Sequence, residues 1–92
     1  MSHLSILNVQ KDVIDPLIDF LEADGRNVRD VQSSSFRDQK IWYIQNDLKK
    51  GNITTKDELI SRIKEAFDRA GVPIYSGNKE ERELVRLLKY VN

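Results

Sequence analysis

Cysteine is absent from this chain, histidine occurs once, and neither sign of charge predominates. The first absence removes disulfides, thiolate metal sites and cysteine nucleophiles together. Small secreted domains commonly depend on such cross-links, so a cytoplasmic location is expected. The opening Met1-Ser2-His3-Leu4-Ser5 has neither the basic patch nor the long apolar run of a signal peptide, which points the same way. No apolar run approaches the roughly 20 residues that a bilayer requires, so no membrane partner is expected. Lys plus Arg and Asp plus Glu each number 15, giving a formal net charge of zero. Proteins that coat nucleic acid usually carry a marked basic excess, and this balance leaves only a local basic face to consider.

Chemistry-bearing constellations are equally scarce. His3 has no Ser/His/Asp arrangement to join, and nothing else supplies a poised acid, base or nucleophile, so no enzyme activity is expected. Asp12, Asp15 and Asp19 fall at helical spacing but read as a solvated acidic face plus a helix cap, because no further ligand is near in sequence. Glu22-Ala23-Asp24-Gly25 shares part of a calcium loop. Placing Gly25 at the sixth loop position, however, puts Phe20 at the first and Val31 at the twelfth. Lys50-Gly51-Asn52-Ile53-Thr54 lacks the second glycine and the Gly-Lys-Ser/Thr order of a phosphate loop. No cofactor and no metal are therefore expected. The Asn52-Ile53-Thr54 triplet has no secretory context, and Ser33-Ser34-Ser35 reads first as a loop, with phosphorylation left open.

What the chain does contain is helical patterning. Its 92 residues suffice for one domain over 1–92, and the 39% hydrophobic fraction is too high for a disordered chain. From Thr55 to Ala70, Leu59, Ile60, Ile63 and Phe67 form one stripe, with Ala66 and Ala70 beside it. Thr55 and Glu58 make a capping box, Glu58 to Arg62 and Glu65 to Arg69 are acid-first pairs, and Gly71 and Pro73 end the helix. A last helix begins after the cap residue Asn78, carries Glu80 and Glu81 in its first turn, and buries Leu84, Leu87, Leu88 and Val91. Arg82, Arg86 and Lys89 lie off that stripe. Val72-Pro73-Ile74-Tyr75 reads as an extended link or a lone edge strand. A further helix is predicted from Asp15 as cap, through Pro16, to Gly25, with Leu17, Phe20 and Leu21 inward and Ile14 and Ile18 joining them. His3 to Val9 fits strand or helix.

The middle of the chain has two readings. Lys40-Ile41-Trp42-Tyr43-Ile44 is locally strand-like, being rich in β-branched and aromatic residues. As a helix starting near Phe36 and stopped by Gly51, it aligns Ile41, Ile44 and Leu48, and the reach of that stripe favours the helix. The succession of a helix ending at Gly25, then Val28 and Val31, a serine turn and a third helix then resembles a helix-turn-helix. In that arrangement Arg37 and Lys40, with Gln45 or Lys49, would face the major groove, and Arg26 and Arg29 would reach the backbone. Asp30, Asp38 and Asp47 lie among them and oppose phosphate binding. Trp42 and Tyr43 are adjacent, so no regular structure buries both easily, and an exposed Trp or Tyr is a frequent interface anchor.

Ile63 to Ile74, reading IKEAFDRAGVPI, resembles the helix-and-strand ending of the cytoplasmic domain of small mechanosensitive channels, over twelve residues and without that family's membrane helices. The resemblance implies an α+β alternative. It would have a strand from His3, a helix to Asp24, a hairpin through Trp42, the long helix and Ile74 on an edge strand.

The residues together predict a mainly α, small compact domain of four to five helices with a three-helix, helix-turn-helix-like core; the alternative is α+β with a small antiparallel sheet. The expected function is a non-catalytic regulatory or adaptor module that binds another protein through Trp42 and Tyr43. A homodimer is compatible with the apolar face from Leu84 to Val91. The second expectation is a DNA-binding transcription regulator using Arg26, Arg29, Arg37 and Lys40.

Overall fold

Apolar residues recurring every three or four positions give each helix one dry face, and burying those faces against one another organises this chain. The computed structural model describes residues 9–89. Among the described residues there are five helices and no strand, a mainly α architecture. Helix α1 covers 10–23, as a π-helical turn Gln10–Ile14 running into Asp15–Ala23. Helix α2 is the single turn Arg29–Gln32. Helix α3 covers 34–49, with a π-helical turn Arg37–Ile41 between Ser34–Phe36 and Trp42–Lys49. Helices α4 and α5 are Lys56–Arg69 and Lys79–Leu88.

Among the described residues the sheet of the α+β alternative is not formed. Trp42 lies within α3 rather than in a hairpin, and the link 72–75 has no strand partner among the described residues. Val72 and Ile74 are buried there individually, as plugs in the helical core. The segment from His3 to Asn8 and the stripe residue Val91 lie outside the described residues.

Asp15 does not cap α1. Val9 and Val13 are fully buried, so the apolar stripe starts more than a turn earlier than Pro16 suggests, and the helix runs through the proline. The π-helical turn explains how. Asp15 donates its N–H to Gln10 O, five residues back, which widens the helix where a proline ring would otherwise clash with the preceding turn. At the other end the chain reverses at Gly25, with φ of +81°. Gly25 N donates to Glu22 O at 3.0 Å and Arg26 N to Leu21 O at 3.0 Å, a Schellman closure that needs a left-handed residue.

The serine run is mostly helix. Only Ser33 is extended, and its Oγ accepts from Phe36 N at 3.2 Å, capping α3. Ser34 and Ser35 form the first turn, because a hydroxyl cap turns the residues after it into helix. The Thr55 cap of α4 forms as the sequence predicts, with Oγ1 accepting from Glu58 N at 3.1 Å. Glu58 itself accepts from Thr54 N at 3.1 Å, and Arg62 turns instead to Asp47 of α3 at 3.0 Å. The Glu65–Arg69 pair is present at 3.0 Å. Asn78 occupies the cap position of α5 without a side-chain bond; Glu81 takes that part by accepting from Gly77 N at 2.9 Å.

Helix α1 packs on α5, and α4 packs on both α3 and α5. Leu17 and Leu21 of α1, Leu59, Ile63 and Phe67 of α4, and Leu84 of α5 are fully buried at the centre. Phe36 meets Phe67 edge-to-face at 5.7 Å, fixing the start of α3 on the middle of the core. With one side committed to α4, α3 leaves its opposite side to solvent.

Candidate protein-binding surface

Ile41, Ile44 and Leu48 take the inward face of α3. Successive helical residues are about 100° apart, so Trp42 and Tyr43, between two inward positions, are driven outward together. Trp42 is 58% exposed and Tyr43 50%. Their rings pack on each other edge-to-face at 5.1 Å with an interplanar angle of 74°, which gives the exposed pair a defined shape.

Two depressions flank the pair and share Tyr43. One, about 420 Å³, runs between α3 and α4, with Lys40 and Tyr43 on one wall and Arg62, Glu65 and Arg69 on the other. Its acid–base pairs, Asp47–Arg62 and Glu65–Arg69, are satisfied across or along the helices. Lys40 has no intrachain partner among the described residues. The second depression, about 430 Å³, is bounded by Ser35, Asp38, Gln39 and the two aromatic rings. The surface is thus an aromatic ridge between two shallow hollows, with polar groups around it.

The four candidate nucleic-acid residues are not gathered on one helix face. Arg26 is half-buried, donating from Nη1 to Glu80 Oε1 at 2.5 Å and from Nη2 to Pro73 O at 3.0 Å. Arg37 is half-buried against Asp15 at 3.8 Å, where Arg37 Nε and Asp15 Oδ1 are shielded from solvent without a direct hydrogen bond. Arg29 is exposed on α2, and its backbone N–H is held by Asn27 Oδ1 at 3.2 Å. Lys40 faces the α3–α4 hollow. The exposed side of α3 therefore presents Ser35, Asp38, Trp42, Tyr43 and Lys49.

Glu80, whose position in the first turn suits the helix dipole, is the one buried charged residue among the described residues. Nothing in its local sequence signals burial, since its partner Arg26 lies 54 residues away. Two carboxyls of α5, Glu81 and Glu83, titrate low. A hydrogen bond from Lys64, aided by the Gly77 N–H, holds Glu81 below its ordinary value, and the Arg86 guanidinium does the same for Glu83. All three acids fasten α5 or its ends; none faces the aromatic pair. Asp12 and Asp19 stay solvent-exposed on α1, and among the described residues no group of three or more His, Cys, Asp or Glu is placed to hold a metal ion. Among the same residues no helix is long and apolar enough to cross a membrane.

Compared with protein-family models, with curated proteins and with solved structures, the chain matches none.

Proposed function

We propose that this chain is a non-catalytic regulatory or adaptor module that binds another protein through the Trp42–Tyr43 ridge of α3. The observation carrying this reading is the joint exposure of two large aromatics at the centre of one helix, held in a fixed mutual geometry. Neither ring belongs to the buried core cluster, and about half of each side chain is left in solvent. Trp and Tyr are the side chains most enriched among interface residues whose truncation is costly, because they contribute area with few rotors to freeze. The helix-turn-helix alternative finds less support: Arg26 is engaged by Glu80, Arg37 lies against Asp15, and Asp38 occupies the face that would meet phosphate.

The test is affinity capture from an extract of the source cell, with the unaltered chain and the Trp42→Ala/Tyr43→Ala variant compared by mass spectrometry. Proteins retained by the first and lost with the second, at unchanged circular dichroism, are the expected result. An identical captured set from a chain that also stays monomeric would sink the reading, and loss of helicity in the variant would assign the ridge to the core. Light scattering with a random DNA duplex at low salt addresses the alternative, which requires a mass increase that added salt reverses.

A further inference from the structure

The solvent-facing stripe of α3 has a charge order as well as an aromatic centre. Asp38, Trp42 and Lys49 are four and seven residues apart and lie on one side of the helix, all exposed. Asp38 and Lys49 have no intrachain ionic or hydrogen-bonding partner among the described residues. One end of the stripe is negative, the other positive, and the two charges stand about 16 Å apart at the rise of a helix. Their midpoint falls between Tyr43 and Ile44, beside the aromatic pair.

A pattern of this kind is complementary to itself in one orientation only. Turned end for end, a second α3 sets its Lys49 against Asp38 and its Asp38 against Lys49, while a parallel copy would oppose like charges. At that register the two Trp42 residues are offset by only about 4.5 Å along the axis, so their side chains meet near the twofold axis. The antiparallel arrangement also opposes the two helix dipoles favourably. A formal net charge of zero leaves no general repulsion between copies.

We infer that the partner at the Trp42–Tyr43 ridge is a second copy of this chain, docked by α3 across a twofold axis, with two Asp38–Lys49 ion pairs flanking the four aromatic rings. The inference rests on the proposed binding role of the ridge and names its occupant. A two-fold contact of this kind is isologous, so each stripe supplies both halves of the recognition. One helix laid on another makes a contact below the size of a permanent dimer interface, and the association is accordingly concentration-dependent.

Sedimentation velocity of the whole chain from micromolar to millimolar concentration tests this, using Asp38→Lys and Lys49→Glu separately and mixed. The unaltered chain is expected to shift from monomer towards dimer. Each single variant sets like charges opposite each other twice and should raise the dissociation constant at least about tenfold. An equimolar mixture of the two restores association, because every opposed pair is then of opposite sign. Both substitutions are at exposed positions, and unchanged circular dichroism verifies the fold. A monomer throughout the concentration range overturns the inference, as does a dimer that ignores both variants or a mixture that fails to recover. The capture comparison with Trp42→Ala/Tyr43→Ala is a separate readout. Proteins lost there from a monomeric chain leave the binding role standing with a different occupant, whereas an unchanged captured set from a chain that stays monomeric removes the role itself.

Discussion

Replacing Glu80 by alanine is expected to cost the fold about 2–3 kcal/mol, a large share of the stability of so small a domain. The magnitude follows from the burial of the two partners. The Glu80 side chain is 7% exposed and accepts from Arg26 at 2.5 Å, whereas Arg26 is 28% exposed and also donates to the Pro73 carbonyl. Removing one member of a fully buried ion pair costs roughly 3–5 kcal/mol, because the other charge is left unpaired in a poor solvent. Arg26 retains some contact with water and one hydrogen bond, which brings the cost below that range, to about 2–3 kcal/mol. For a domain of this size each kcal/mol moves the melting temperature by roughly 4–8 °C, so a fall of about 10–20 °C is expected by calorimetry. Glu80→Gln, which keeps the volume and an acceptor, should fall between the two. The assignment also requires coupling. In a double-mutant cycle with Arg26→Ala, the two losses should overlap by at least ~1 kcal/mol. Full additivity, or a melting temperature that hardly changes, would refute the pairing, and with it the placement of Arg26 as a clamp between the end of α1 and the start of α5. It would also return Arg26 to the set of cations free to meet phosphate.

Three further outcomes follow from the same geometry. Ser33→Ala removes the cap of α3 and should lower stability by about 1 kcal/mol in urea titration, with Ser33→Thr recovering most of it; an unchanged midpoint would show that the cap bond contributes nothing. Phe67→Ala takes a fully buried ring from the centre of the core and from its contact with Phe36, at a cost of about 3–5 kcal/mol, and a smaller loss would mean that the site collapses around the gap. Stability should also decline on acidification. Glu81 and Glu83 are held below their ordinary value of 4.5. A carboxyl depressed in the folded state stabilises it above the unfolded value, and that contribution is lost as the pH falls through the folded one. Denaturation midpoints should therefore drop below about pH 4.5, more shallowly in Glu81→Gln, and equal slopes for the two proteins would exclude Glu81 as a source.

Local signals located the elements well where one residue decides the outcome by itself. Thr55 caps α4, Gly25 and Gly71 take left-handed backbone at +81° and +86°, and the stripe Ile41, Ile44, Leu48 settles the middle of the chain as helix. The misses are places where a distant contact or a second local rule prevailed. Pro16 reads as a helix start because a proline normally cannot continue one, but a π-helical turn accommodates the ring and lets Val9 and Val13 reach the core. Three serines read as a loop, yet the first of them is a cap and thereby makes the next two helical. Glu58 and Arg62 are correctly spaced for a pair, but each has a better partner, one in the Thr54 backbone and one in Asp47 of the neighbouring helix.

The candidate site divides along the same line. That Trp42 and Tyr43 compete for one inward position is visible in the sequence, since adjacent residues cannot share a face; that neither obtains it depends on Ile41 and Ile44 filling the α3–α4 contact first. Charge is harder to read, because a cation's role is set by what the fold brings to it. Arg26 and Lys49 carry the same charge, and both lie just past or within the last turn of a helix. One is drawn to Glu80 from 54 positions away and becomes part of the scaffold, while the other remains without an intrachain partner among the described residues. Lys49 is exposed and solvated, and in the proposed twofold contact its counter-charge is the equally exposed Asp38 of another copy.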